Sequence, residues 1–324
     1  MFDKDAAEWA RDRLEGCVYT IFTPFDANEA VDYDSLEAYL RMLHEQGARK
    51  FYAMAYNSRY SQMTMDEIFE LNRFCAQTVK KIDPESVVIV GDPIHCSTKH
   101  SVECARAARE AGADLISVIC REKYFEDDQI LEHFAKVGRE SGLGVLVHEM
   151  PFLSGQDGKQ MNWPLSLLRS LARIPEVVAL KEDAKEPDIV KATLQLEPRI
   201  RVVLAGRKSS FLPYHPLGAR AYLNGISIID AQIGENFWTA LESGDEQTVR
   251  FILDELESPF FDGLCAKYGW HRCNKALLEA AGLMPRRDRM PLKHLPDEQF
   301  SEVTAVCGRI KAALARAPWQ RQDA

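Results

Sequence analysis

A chain of 324 residues, 46% hydrophobic and 27% charged, has the composition of an ordinary soluble globular protein and is long enough to bury a core without disulfide staples. A formal net charge of -9 argues against broad binding to nucleic acid or an anionic membrane, while leaving room for a local basic pocket. No apolar run approaches the roughly 18 residues needed to span a bilayer, and the eight cysteines show neither a CxxC pair nor CxxC…HxxxH spacing, so no membrane span and no structural zinc site are expected.

The opening "MFDKDAAEWARDRLEG" is charged, lacks an apolar signal core and reads as a short helical lead-in. Together with the scattered cysteines it makes reduced thiols in the cytoplasm the expected setting. Eight short apolar runs rich in β-branched residues follow, in the order "VYTIFT" (18–23), "KFYAMAY" (50–56), "VVIVG" (87–91), "LISVIC" (115–120), "VLVHEM" (145–150), "VVALK" (177–181), "VVLAG" (202–206) and "AYLNG" (221–225). Nearly continuous apolar runs suit parallel strands covered on both faces. Helical periodicity fills the gaps. "DYDSLEAYLRMLHEQG" opens on Asp32 and closes on Gly47, "TMDEIFELNRFCAQTVKK" carries Thr64 and Glu67 at capping-box spacing, and "STKHSVECARAAREAGAD" has Ser97 as a cap and Gly112 as a stop.

Eight βα repeats without a long linker predict a (β/α)8 barrel over residues 1–243, with a doubly wound open sheet as the competing arrangement. After Gly225 the strands stop. "ENFWTALESGDEQTVRFILDELES" reads as the helix that closes the barrel, residues 244–317 as a C-terminal helical region, and 318–324 as a disordered tail.

Barrel active sites gather at the C-terminal ends of the strands. The downstream edges of the runs carry Thr23; Tyr56, Asn57 and Arg59; Asp92 and His95; Arg121, Glu122 and Tyr124; His148 and Glu149; Lys181 and Glu182; Arg207 and Lys208; and Asn224, Gly225 and Ser227. Lys181 stands out, because five apolar residues run directly into it. Burial disfavours an ammonium and favours the neutral amine, which can attack a carbonyl and form an imine. Such chemistry needs a proton carrier, and His148, at the end of the preceding strand, is of the type that titrates near neutrality. Spacing alone leaves both residues with a plainer reading as well: Lys181 as a strand-end lysine paired with Glu182 or Asp183, His148 as a hydrogen-bonded structural histidine.

The order and spacing of these segments resemble the dihydrodipicolinate synthase / N-acetylneuraminate lyase family of class I aldolases. The resemblance rests on "TPFDANEAVDYDSLEAYLRMLHEQGAR", "TMDEIFEL", "VVIVGDPIHCSTKHSVECARAAREAGADLISVI", "VLVHEMP", "VVALKEDAKE" and "CNKALLEAAGLMPRRDRMPL", and runs from about Gly16 to Leu292. It implies a barrel with C-terminal helices and an imine between Lys181 and a 2-oxo acid. It also implies a homotetramer and no metal or organic cofactor. Departures from the pattern are as informative. Tyr56 and Asn57 stand where the family has two threonines, Arg59 stands in place of a glutamate, and His148 replaces a tyrosine. The arginine that dihydrodipicolinate synthases carry after the fifth strand falls at Leu153.

The expected activity is therefore that of a Schiff-base aldolase or dehydratase acting on a small, anionic carbonyl compound, distinct from a standard dihydrodipicolinate synthase. Lys181 and His148 are its expected catalytic residues. Tyr56, Asn57, Arg59, Thr23, Asn224, Gly225 and Ser227 are the expected substrate contacts, and no metal site is expected. The alternative is an altered member that binds a keto or sugar acid without turnover. Lesser expectations are a mixed metal site of Asp92, His95, His148 and Glu149, and a basic loop at Arg207 and Lys208, either solvated or anion-binding.

Overall fold

The computed structural model describes residues 6–120, 125–150, 152–154, 159–184 and 186–321. Each of the eight apolar runs supplies a strand: β1 (Gly16–Thr20), β2 (Lys50–Ala53), β3 (Val87–Gly91), β4 (Leu115–Val118), β5 (Gly144–His148), β8 (Val177–Glu182), β9 (Arg201–Leu204) and β10 (Ala221–Leu223). They pair in parallel in the order β1-β10-β9-β8-β5-β4-β3-β2 and close on themselves, so the fold is a (β/α)8 barrel and the open-sheet alternative is excluded. Several runs outlast their strands. Met54–Tyr56 and Ile119–Cys120 have already left the ladder and belong to the loops at its C-terminal edge.

The connecting helices start where the capping residues predict. Helix α2 (Tyr33–Glu45) begins at Asp32, whose carboxylate accepts the Ser35 N–H at 3.0 Å. Helix α3 (Met65–Ile82) has the reciprocal box, with Thr64 N–H donating to Glu67 at 2.9 Å and Glu67 N–H to Thr64 Oγ1 at 3.3 Å. Helix α4 (Thr98–Glu110) is capped by Ser97, and Gly112, at φ 98°, turns the chain out of it. Helices α5 (Asp127–Ser141), α6 (Leu165–Leu171) and α7 (Pro187–Leu194) complete the repeats before β9. One feature goes unheralded in the sequence: an antiparallel hairpin, β6 (Phe152–Ser154) and β7 (Lys159–Met161), inserted after β5.

The chain divides into two compact units. The first comprises Met1–Val18, Arg49–Gly206 and Ser210–Leu223. Its barrel interior packs Val18, Tyr52, Ile89, Leu146 and Ala179 together with Ala10 and Leu14, so the lead-in helix α1 (Ala6–Arg13) is tied into the barrel core.

The second unit comprises Tyr19–Ala48, Arg207–Ser209 and Asn224–Ala324. The segment expected as one closing helix is two, α9 (Ala231–Ser243) and α10 (Glu246–Phe251). Gly244 leaves α9 at φ 72°, and Asp245 then caps α10 by accepting the Thr248 N–H at 3.0 Å. The Gly-Asp pair carries both a stop and a start signal. Wider helical turns over 252–265 lead into α12 (Trp270–Ala281), and α13 (Asp297–Leu314) follows. In place of the expected disorder, Pro318–Arg321 forms a 3₁₀ turn with the Trp319 ring set edge-on against Phe251, and residues 322–324 lie outside the described ones.

Candidate active site

His148 and Lys181 are paired neighbours across β5 and β8. Leu146 and Ala179, two residues earlier on each strand, belong to the barrel's interior cluster. The two-residue period of a strand puts His148 and Lys181 on that same inner face, at its C-terminal edge. Lys181 is only 3% exposed, and its Nζ lies 3.0 Å from Asp183 Oδ2. Of the two carboxylates the sequence offered it, the geometry takes Asp183, because Glu182 lies on the opposite face of the strand.

Two further residues of the inner face were not singled out from the sequence. The Tyr52 hydroxyl on β2 meets Ser117 Oγ on β4 at 2.5 Å and His148 Nδ1 at 3.4 Å. Burial pushes the Tyr52 phenol well up, with the Asp92 charge adding to the rise and the Ser117 hydrogen bond opposing it. It therefore stays a neutral hydroxyl donor. Asp92 itself is held by the Ser101 hydroxyl at 2.8 Å and the Ile119 N–H at 3.2 Å. The arrangement is a hydroxyl pair set against an imidazole, beside a buried amine.

Glu149, next to His148, fastens the loops around the amine. Its Oε2 accepts the Asp183 N–H at 3.2 Å and its Oε1 the Trp163 N–H at 3.4 Å. Burial first, and then the Glu182 charge, push the Glu149 carboxyl from 4.5 up to about 7, against the opposing pull of the Asp183 N–H, the Lys181 ammonium and the Trp163 N–H. A carboxyl raised on folding binds more protons folded than unfolded between those two values. Stability therefore falls as pH rises through that window and levels off above it. The full effect is on the order of 3 kcal/mol as an upper bound. The Glu149→Gln variant is expected to lose much of this slope, read as the change in Tm between pH 5 and pH 8. Equal slopes in the two proteins would assign the titration to another group.

The model of the Dihydrodipicolinate synthetase family matches residues 13–310. The chain belongs to this family. A 4-hydroxy-tetrahydrodipicolinate synthase of Archaeoglobus fulgidus is 22% identical over 296 residues, 90% of this chain and 97% of that protein. In fold, the family member described here is similar to dihydrodipicolinate synthase from Oceanobacillus iheyensis, with TM-score 0.79, 17% identity, and 95% and 100% of the two chains covered. It is equally similar to a Ruminococcus gnavus sialic acid aldolase in its catalytic lysine mutant, with TM-score 0.81, 16% identity, and 94% and 98% covered. Family membership makes the chain one of a group of aldolase-type lyases.

Tyr56 sets its ring edge toward His148, with centroids 5.8 Å apart. Asn57 is buried, and Arg59, also buried, adopts a left-handed backbone (φ 63°) and donates to the Tyr56 carbonyl at 3.3 Å. Tyr56 thus meets the same imidazole as Tyr52. His95 turns elsewhere and lines a separate cavity of about 320 Å³ with Cys96, Cys120 and His133. Among the described residues no three His, Cys, Asp or Glu side chains converge as metal ligands, so Asp92, His95, His148 and Glu149 form no such group. Residues 121–124 lie outside the described ones, and with them Arg121, Glu122 and Tyr124.

Thr23, Asn224, Gly225 and Ser227 belong to the second unit, where their bonding is intramolecular. The Thr23 carbonyl accepts from Lys275 Nζ at 2.6 Å. Arg289, also in the family's C-terminal segment, donates to the Glu29 carbonyl at 2.6 Å and covers the Phe25 ring. Asn224 Oδ1 accepts the Thr20 hydroxyl at 2.9 Å, and Gly225 takes φ 53°. Lys208 corrects the expectation of a solvated basic loop. It is fully buried, and its ammonium donates to the Asn224 carbonyl at 2.8 Å and to Ser227 Oγ at 2.7 Å. Glu257 accepts the Lys208 and Ser209 N–H groups and lies beside Arg207. Lys208→Ala would leave the Asn224 carbonyl with only the Ser227 N–H, take the donor from Ser227 Oγ and open a cavity. We expect a loss of about 3 kcal/mol in stability, measured by denaturant unfolding. A loss below about 1 kcal/mol would mean that water replaces the ammonium freely.

Proposed function

We propose that the chain is an imine-forming lyase acting on a small anionic 2-oxo acid or related carbonyl compound, and that it differs from a standard dihydrodipicolinate synthase. One observation carries this reading: a buried lysine and a histidine sit side by side at the C-terminal edge of a family barrel. The Lys181 amine adds to the carbonyl carbon, water leaves with the carbonyl oxygen, and the iminium draws electrons from the adjacent carbon. Asp183 is the group placed to accept a proton from the ammonium before attack. His148 moves protons to and from the substrate, with the Tyr52–Ser117 pair holding its ring. Tyr56, Asn57 and Arg59 shape the pocket, and the Arg59 charge suits a carboxylate-bearing substrate. The catalytic lysine of the sialic acid aldolase similar in fold supports this assignment of Lys181.

The test is reductive trapping. Incubation with a panel of 2-oxo acids and borohydride is expected to leave a reduced adduct on the Lys181 peptide for at least one acid. Modification spread over surface lysines, with none on Lys181, would sink the proposal. The reading includes turnover undiminished by chelators, and a homotetramer detectable by light scattering. The strand-two loop favours one alternative, binding of a keto or sugar acid without turnover. Ligand stabilisation that survives in Lys181→Ala, with no reaction by the native protein, would select it.

A further inference from the structure

Glu182 follows Lys181 on β8 and therefore faces the opposite way, out of the barrel toward α7. It is 2% exposed. Its Oε1 accepts the Ala184 N–H at 2.6 Å, and its Oε2 is buried with no hydrogen-bond partner. The Thr193 hydroxyl, which meets no other partner in hydrogen-bond geometry, stands close enough to act on the carboxyl as a weak neutral donor. A buried carboxylate held by one backbone N–H and a weak neutral donor is under-satisfied.

That carboxyl lines a cavity of about 270 Å³, walled by Val190, Leu204 and Ala205 and rimmed by Ser210 and Tyr214. Ser210 is exposed, so the cavity opens to the surface while Glu182 is shielded from it. At roughly 30 Å³ per liquid water, the space holds about nine waters, or a small molecule of up to about that many heavy atoms. Its charge setting is one-sided. Among the described residues three carboxyl groups, Glu149, Glu182 and Asp183, act on one another around the Lys181 ammonium.

We propose that this cavity is a second ligand site, outside the barrel mouth, for a small aliphatic monocation of the primary ammonium class. The ammonium donates to Glu182 Oε2, the alkyl stem lies against Val190 and Leu204, and the rim hydroxyls of Ser210 and Tyr214 meet any polar end. The carboxyl thereby gains a charged donor, and the local excess of negative charge is reduced. Because Glu182 adjoins Lys181 on one strand and acts on Glu149, occupancy here alters the charge balance behind the reactive amine.

The experiment is calorimetric titration of the full chain at pH 8 with propylammonium chloride, against sodium chloride at equal ionic strength and against 1-propanol. Saturable binding of the ammonium is expected, with none of the alcohol. Glu182→Gln should weaken it at least about tenfold, since a neutral acceptor replaces a charge-assisted one. Should that variant unfold, Ser210→Phe closes the cavity from an exposed rim position and is expected to abolish binding. The proposal is overturned by non-saturable heats, by binding of propanol as tight as that of the ammonium, or by unchanged affinity in either folded variant. An amine cannot form an imine with Lys181, so the result does not depend on whether the lyase reading is right.

Discussion

Lys181→Ala is expected to abolish borohydride trapping and to lower turnover on any substrate found by on the order of 10³-fold or more, while the fold persists. The nucleophile is lost outright, and among the described residues nothing adjacent replaces it. Asp183 and Glu182 carry no amine, and Lys208, the next buried lysine downstream among the described residues, is committed to Asn224 and Ser227 in the other unit. Removing the ammonium also frees Asp183 from an ion pair of 3.0 Å, but Asp183 is partly exposed and keeps its backbone bond to Glu149. Because Lys181 itself is buried, truncation also removes packing, and stability is expected to fall by about 1–3 kcal/mol without loss of the fold. Lys181→Arg is the sharper control. It keeps the positive charge beside Asp183 but cannot become a free amine at neutral pH. Full activity in either variant would remove the imine from the mechanism and leave the binding-only reading.

His148→Ala should separate proton transfer from imine formation. Loss of a positioned acid–base group typically costs 10² to 10⁴ in rate. We expect kcat to fall within that range while borohydride still traps an adduct on Lys181, because the amine and Asp183 remain. The Tyr52 hydroxyl reaches His148 Nδ1 at 3.4 Å and Ser117 at 2.5 Å, so Tyr52→Phe should reproduce part of the loss by releasing the imidazole ring. A His148→Ala protein that turns over normally would return His148 to a structural role. A protein that loses trapping and turnover together would instead place His148 in forming the imine.

Much of this arrangement was legible in the residues. The eight runs announced the strands because parallel barrel strands are buried on both faces and need continuous apolar side chains. The caps at Asp32, Thr64 and Ser97 announced helix starts because each satisfies a backbone N–H that the helix leaves open. Lys181 and His148 could be named because a titratable residue at the downstream end of a barrel strand sits at the mouth. Other features were hidden for equally physical reasons. Tyr52 and Ser117 lie inside runs that read as core, and only the closing of β2, β4 and β5 into one ring brings their hydroxyls to His148. Lys208 follows an arginine in a polar loop, and nothing local says that its ammonium is drawn into the second unit's interior.

The barrel, its order of strands and helices, and the strand ends that carry the amine and the imidazole can all be read from the residues. These depend on local chemistry: hydrophobic period, capping side chains and position along a strand. The company each of them keeps comes from the closed fold. Strand register set Lys181 beside His148, the loop after β8 gave the lysine Asp183, and the alternation of the strand turned Glu182 outward into its own cavity. Partners of that kind are distant in sequence or separated by a single residue's change of face, so they exist only once the sheet has closed.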